Sequence, residues 1–276
     1  MDMSGTTDLS VLDRPEVLSR LFHPRKEWSP TDRGGPSMDV LIPVDEGVEI
    51  GARFHMADKE AGNLLFFHGN GEIVADYDDL APLYNRIGIN FLAVDYRGYG
   101  RSTGNPTVVG MMRDCHAIFR FVKDWLGDRG YSGGVIPMGR SLGSASVLEI
   151  AANHGDHLRA LIVESGFAFA VPLLRLLGVD AASLGFREQQ GFRNLDKIAR
   201  WEKPLLIIHG EFDHVIPFSD AQALHDACPS KEKTLLKIRG ADHNDLFARG
   251  LMEYMGAVKK LVDTVQGKGG IAGVQT

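Results

Sequence analysis

A chain of 276 residues with 44% apolar and 24% charged side chains is long enough to bury one large core and too apolar for wholesale disorder. Its net charge of −6 gives no basic excess and argues against a nucleic-acid partner, and two cysteines, Cys115 and Cys228, cannot build a disulfide framework. No window approaches the roughly 18 consecutive apolar residues of a membrane span, and Asp and Arg break every apolar run near the N-terminus, so neither an integral membrane segment nor a signal peptide is expected.

Cys115 falls on the apolar side of a helical pattern, as a buried free thiol does, and a reducing, cytoplasmic location is expected. Residues 1–37, rich in Pro, Gly and charge, read as an N-terminal surface extension with one helical stretch over 14–22. The main domain then runs over 38–266. It opens with an antiparallel hairpin on the sheet's edge: residues 39–42, a turn at Asp45-Glu46-Gly47, and a half-exposed strand in which Val48, Ile50, Ala52 and Phe54 alternate with other residues.

Short apolar runs follow at residues 64–67, 91–94, 135–136, 160–163, 205–208 and 234–238, too short for helices and suited to strands covered on both faces. Helical segments lie between them. The clearest carries the stripe Met112, Cys115, Ile118 or Phe119, Val122 and Trp125 or Leu126, and another over 246–265 carries Leu251, Met255, Val258 and Val262. Strands alternating with helices predict an α/β fold: a doubly wound, mostly parallel sheet with helices on both faces. Only about forty residues separate Glu164 from the strand at Leu205, which leaves room for a small lid over about 166–200. The glycine-rich stretch 267–276 reads as a flexible tail.

Each strand-like run ends in a polar, glycine-bearing sequence, and in a parallel sheet these loops gather at the carboxyl edge, where ligands bind. Gly139-Arg140-Ser141-Leu142-Gly143 has the form G-x-S-x-G between a strand and a helix. A serine alcohol is a poor nucleophile unless it is exposed and set beside a base, and a sharp strand-to-helix turn provides the exposure. Asp213 follows the run at 205–208 and His243 follows the run at 234–238, so nucleophile, acid and base occur in the order Ser141, Asp213, His243. Glu164, at the end of the run at 160–163, is the rival acid. Acyl transfer also needs donors for an oxyanion: the backbone amide of Leu142 is one candidate and that of Asn70, in His68-Gly69-Asn70-Gly71, the other. His68 is expected to support that loop by packing, and His209 and His214 to shape the loop of Asp213.

Other signals are weaker. His154 and His157 lack a carboxylate cluster for a metal, and Gly98-Tyr99-Gly100 departs from the dinucleotide fingerprint, so no metal and no cofactor are expected. Phe167, Phe169 and Leu173 belong to an apolar stretch beside the site that reads first as ordinary core packing and, functionally, as the wall of an acyl pocket.

The motifs at 68–70, 95–102, 139–144, 209–217 and 241–244 together resemble the α/β-hydrolase superfamily, closest to its Bem46-like or serine aminopeptidase S33-like branch, over roughly residues 38–265. That resemblance implies a Ser141–Asp213–His243 triad, an oxyanion hole at Asn70 and Leu142, and no cofactor. The expected activity is hydrolysis of a carboxylic ester or thioester through an acyl-enzyme, with a small-molecule acyl substrate. The alternatives are a peptidase or amidase of the S33-like type, or a catalytically silent binding module. The oligomeric state is left open.

Overall fold

The computed structural model describes residues 9–27 and 37–267; the rest of the expected N-terminal extension and the tail at 268–276 lie outside the described residues. In chain order the elements are α1 (Pro15–Leu21), β1 (Ser37–Asp45), β2 (Val48–His55), β3 (Gly62–Phe67), α2 (Ala81–Arg86), β4 (Ile89–Val94), α3 (Val108–Asp128), β5 (Val135–Arg140), α4 (Gly143–His154), β6 (Leu161–Glu164), α5 (Ala170–Leu176), α6 (Asn194–Ile198), β7 (Leu205–Gly210), α7 (Phe218–Ala227), β8 (Lys233–Ile238) and α8 (Leu246–Val265).

The eight strands form one sheet in the order β1-β2-β4-β3-β5-β6-β7-β8. β1 and β2 pair antiparallel with each other, β2 pairs antiparallel with β4, and every later pairing is parallel, so the expected hairpin occupies the edge. Alternate side chains of the central strands enter opposite cores. Leu65, Phe67, Leu92, Val94, Leu161 and Val163 join one cluster with α3 and α4; Leu64, Phe66, Phe91, Ala93 and Ile162 join the other with α2 and α8. Continuous apolar runs are what such a doubly covered sheet requires.

The predicted stripe of α3 is buried throughout, and Thr107 caps the helix by accepting from the Gly110 amide at 2.9 Å. α8 differs from expectation. Gly250 has non-helical dihedrals, and the buried face runs through Tyr254, Val258 and Val262, leaving Leu251 37% exposed. The kink fits close packing, because a Cβ on Gly250 would lie 2.6 Å from Ile238. β2 also departs from the half-exposed reading: its second face is covered where Arg53, itself buried, pairs with Glu27, Asp39 and Asp78.

Residues 9–27 correct the reading of a surface extension. Leu12, Val17, Leu21 and Phe22 are buried in the main core, and Asp13 accepts from the Val108 amide at the start of α3. Pro and charge dominate the composition here, but four apolar side chains at helical and near-helical spacing suffice to dock the segment.

Candidate active site

The strand-to-helix turn after β5 places Ser141 in the left-handed region, with φ 50°. Few non-glycine residues adopt that conformation, and its cost is sustained by the surroundings: the Ser141 amide donates to the Glu164 carbonyl at 2.9 Å, and Ser144 donates back to the Ser141 carbonyl through amide and hydroxyl. The flanking glycines are required by contact. A Cβ on Gly139 would sit 2.3 Å from the Gly143 carbonyl oxygen, and one on Gly143 would sit 2.2 Å from the Phe67 carbonyl oxygen. The turn therefore packs against the end of β3, whose following loop carries Asn70.

His243 and Asp213 come to the same rim from the ends of β8 and β7. His243 Nε2 lies 3.1 Å from Ser141 Oγ, and His243 Nδ1 lies 2.7 Å from Asp213 Oδ2. A carboxylate only accepts, so Nδ1 carries the proton and Nε2 is free to accept from the hydroxyl. The second oxygen of Asp213 accepts from the amides of Val215 (2.9 Å) and Ile216 (2.8 Å). Burial opposes the Asp213 charge, yet hydrogen bonds from His209 and His243 and the Ile216 amide outweigh it and hold the carboxyl well below the usual range. His209 Nε2 donates to the Ile216 carbonyl at 2.7 Å, tying the loop around Asp213, while His214 is exposed. Glu164 does not reach this histidine: its oxygens are taken by Arg140 and by the Tyr254 hydroxyl.

A cavity of about 180 Å³ opens beside Ser141 and includes Asn70, Leu142 and His243 in its lining. Neither the Asn70 nor the Leu142 amide donates to a protein acceptor among the described residues. The Asn70 side chain is fixed by the Tyr99 hydroxyl at 2.7 Å and by the backbone amide of His23 at 2.9 Å, so the N-terminal segment reaches the site. His68 supports the same loop from beneath, with both ring nitrogens engaged, to the Gly69 carbonyl (2.8 Å) and Asp95 (3.1 Å).

Of the three apolar residues expected at the pocket, Leu173 lines it. Phe167 does not: it is buried in the core, edge-on to Phe192 with centroids 5.2 Å apart, and Phe169 packs against that core as well. The apolar wall instead comprises Leu21, Leu142, Leu173, Leu177 and Val215, and the polar wall Glu72, Arg140 and Asn244. Leu21 was hidden in the presumed extension. Arg140 ends β5, which is buried along its whole length, so a cation at the variable position of the G-x-S-x-G motif is its sequence signal. A larger cavity of about 470 Å³ lies apart, over α3 and α4 around His116 and Lys197, and shares none of these residues. There His154 pairs with His116 at 2.9 Å.

Residues 58–182 match the family described as serine aminopeptidase, S33. The human protein named alpha/beta hydrolase domain-containing protein 17B is 30% identical over 249 residues, spanning 86% of this chain and 80% of that protein. The Xenopus laevis protein named 17C of the same series is 29% identical over 241 residues, spanning 84% and 72%. Among solved structures, a Pyrococcus furiosus esterase superposes with TM-score 0.71 at 18% identity, covering 88% of this chain and 99% of that one. Est1E from Butyrivibrio proteoclasticus, with ferulic acid bound, gives 0.65 at 22%, covering 80% and 96%. At those identities the structures establish the fold. The chain belongs to the α/β-hydrolase superfamily, and within it to the S33-like branch.

Proposed function

We propose that the protein is a serine hydrolase that cleaves a carboxylic ester or thioester through an acyl-enzyme. The observation that carries this reading is the hydrogen-bonded series Ser141–His243–Asp213 at the mouth of a cavity with an apolar wall. Ser141 Oγ attacks the carbonyl carbon as His243 Nε2 takes its proton, and Asp213 holds the imidazole and stabilises the imidazolium. The amides of Asn70 and Leu142 donate to the oxyanion, each contributing about 3 kcal/mol in comparable sites. His243 then returns the proton to the departing alcohol or thiol. Water, deprotonated by the same nitrogen, attacks the acyl carbon, and His243 returns that proton to Ser141 Oγ as the acid departs.

The lining favours an acyl group over a peptide amino terminus. An aminopeptidase needs a carboxylate free to hold the substrate ammonium. Glu72, the acidic residue in the cavity lining, is committed to Arg140, Tyr77 and the Gly69 amide. Two buried free thiols support a reducing compartment, to which we assign the cytoplasm. Among the described residues no helix is long and apolar enough to cross a membrane. The test is a panel of p-nitrophenyl esters of graded length, acyl thioesters and aminoacyl amides. Turnover of esters or thioesters in preference to amides is expected. Preference for aminoacyl amides would return the peptidase reading, and binding without turnover the silent module.

A further inference from the structure

Arg140 occupies the variable position of the serine turn, directly before Ser141, and is 9% exposed. Its guanidinium is engaged on every nitrogen. Nε donates to Glu72 Oε1 at 2.8 Å, one terminal nitrogen to Glu164 Oε1 at 3.0 Å, and the other to the His243 carbonyl at 3.0 Å and Asn244 Oδ1 at 3.2 Å.

The four acceptors belong to three different parts of the site. Glu72 Oε2 accepts from the Gly69 amide at 2.7 Å and the Tyr77 hydroxyl at 2.6 Å, so it fixes the turn that presents the Asn70 amide. Glu164 receives the Ser141 amide through its carbonyl, and its other carboxylate oxygen accepts from Tyr254 at 2.5 Å. The His243 carbonyl belongs to the base itself.

We propose that Arg140 is a positioning residue for the hydrolysis, a cationic clamp that sets the oxyanion loop and the histidine loop in register with Ser141. The inference rests on the roles assigned above to Ser141, His243 and Asn70. A buried ion pair contributes little net stability against apolar replacements of similar shape, so stability alone gives a weak reason for a guanidinium here. Geometry gives a stronger one. A planar fork with five donors joins the Glu72 turn, the end of β6 and the His243 loop at fixed angles, whereas a lysine ammonium keeps the charge and loses the fork.

The measurement is steady-state hydrolysis of a p-nitrophenyl ester by the full chain, alongside the rate of fluorophosphonate labelling and thermal melting. Arg140→Lys is expected to melt cooperatively and to lose kcat on the order of 10–100-fold with KM little changed, because a displacement near 1 Å costs catalysis about that much. Labelling should slow in the same proportion. Glu72→Gln removes the carboxylate that links the clamp to Gly69 and should show the same split; it decides the matter if Arg140→Lys does not fold. A folded variant with kcat within about twofold of the parent overturns the clamp. Ser141→Ala, run in parallel, separates the two claims: turnover there within about tenfold of the parent overturns the assigned nucleophile, while a loss of several orders of magnitude beside a fully active Arg140→Lys overturns the clamp alone.

Discussion

Asp213 meets His243 with a carboxylate that cannot turn away: one oxygen lies 2.7 Å from the imidazole, while the other is held by the amides of Val215 and Ile216. In Asp213→Asn an amide group replaces the accepting oxygen and favours the wrong imidazole tautomer. The expected result is a loss of kcat near the ~10⁴-fold that the same change causes in a serine protease triad. A loss below about tenfold would mean that another group orients the histidine. Glu164, the rival acid by sequence, is the residue to substitute next.

The core beneath the Asn70 loop predicts a loss of stability as pH rises above the ordinary histidine value. Both His68 nitrogens face acceptors, so the buried ring is doubly protonated against Asp95. Burial works against that charge, but the hydrogen bond and attraction of Asp95 and the Gly69 carbonyl outweigh it and raise the His68 pKa. A raised folded pKa gives stabilisation that is complete below the unfolded value of about 6.5 and declines as pH rises through the folded value. The Tm advantage of the parent over His68→Gln should therefore hold below about pH 6.5 and narrow as pH rises above it. A difference independent of pH would show the ring to be neutral.

Docking of the N-terminal segment is tested by Leu12→Ala. The side chain is 0% exposed in the main core, and removing such a group costs about 2–5 kcal/mol. Chemical denaturation should show that loss with an unchanged m-value. An effect under about 0.5 kcal/mol would return the segment to the surface.

The cavity wall is tested by bulk. Leu177→Trp should lower kcat/KM for long-chain p-nitrophenyl esters about tenfold or more relative to the acetyl ester, since each methylene in an apolar pocket is worth roughly 1–3 kcal/mol. A uniform loss across chain lengths would place the acyl group elsewhere.

Much of this arrangement was legible in the sequence because each feature has a local cause. Runs such as Leu64-Leu65-Phe66-Phe67 are apolar at every position because both faces of the sheet are covered, and Ser141, Asp213 and His243 each follow such a run. What escaped depends on long-range packing. Phe167 and Leu173 lie in one apolar stretch, and only the docking of α5 sends one to the core and the other to the cavity. The buried face of α8 shifts to Tyr254 at a kink that Ile238 packs against. Leu21 became part of the site through tertiary docking of a segment whose composition reads as surface.

The most direct test is fluorophosphonate treatment of the intact protein with mass mapping of the adduct. One adduct on Ser141, lost in Ser141→Ala and strongly slowed in an otherwise folded His243→Ala, is the expected result. Labelling that persists undiminished in Ser141→Ala, or that maps to another residue, would contradict the assignment of the nucleophile and with it the reaction built on it.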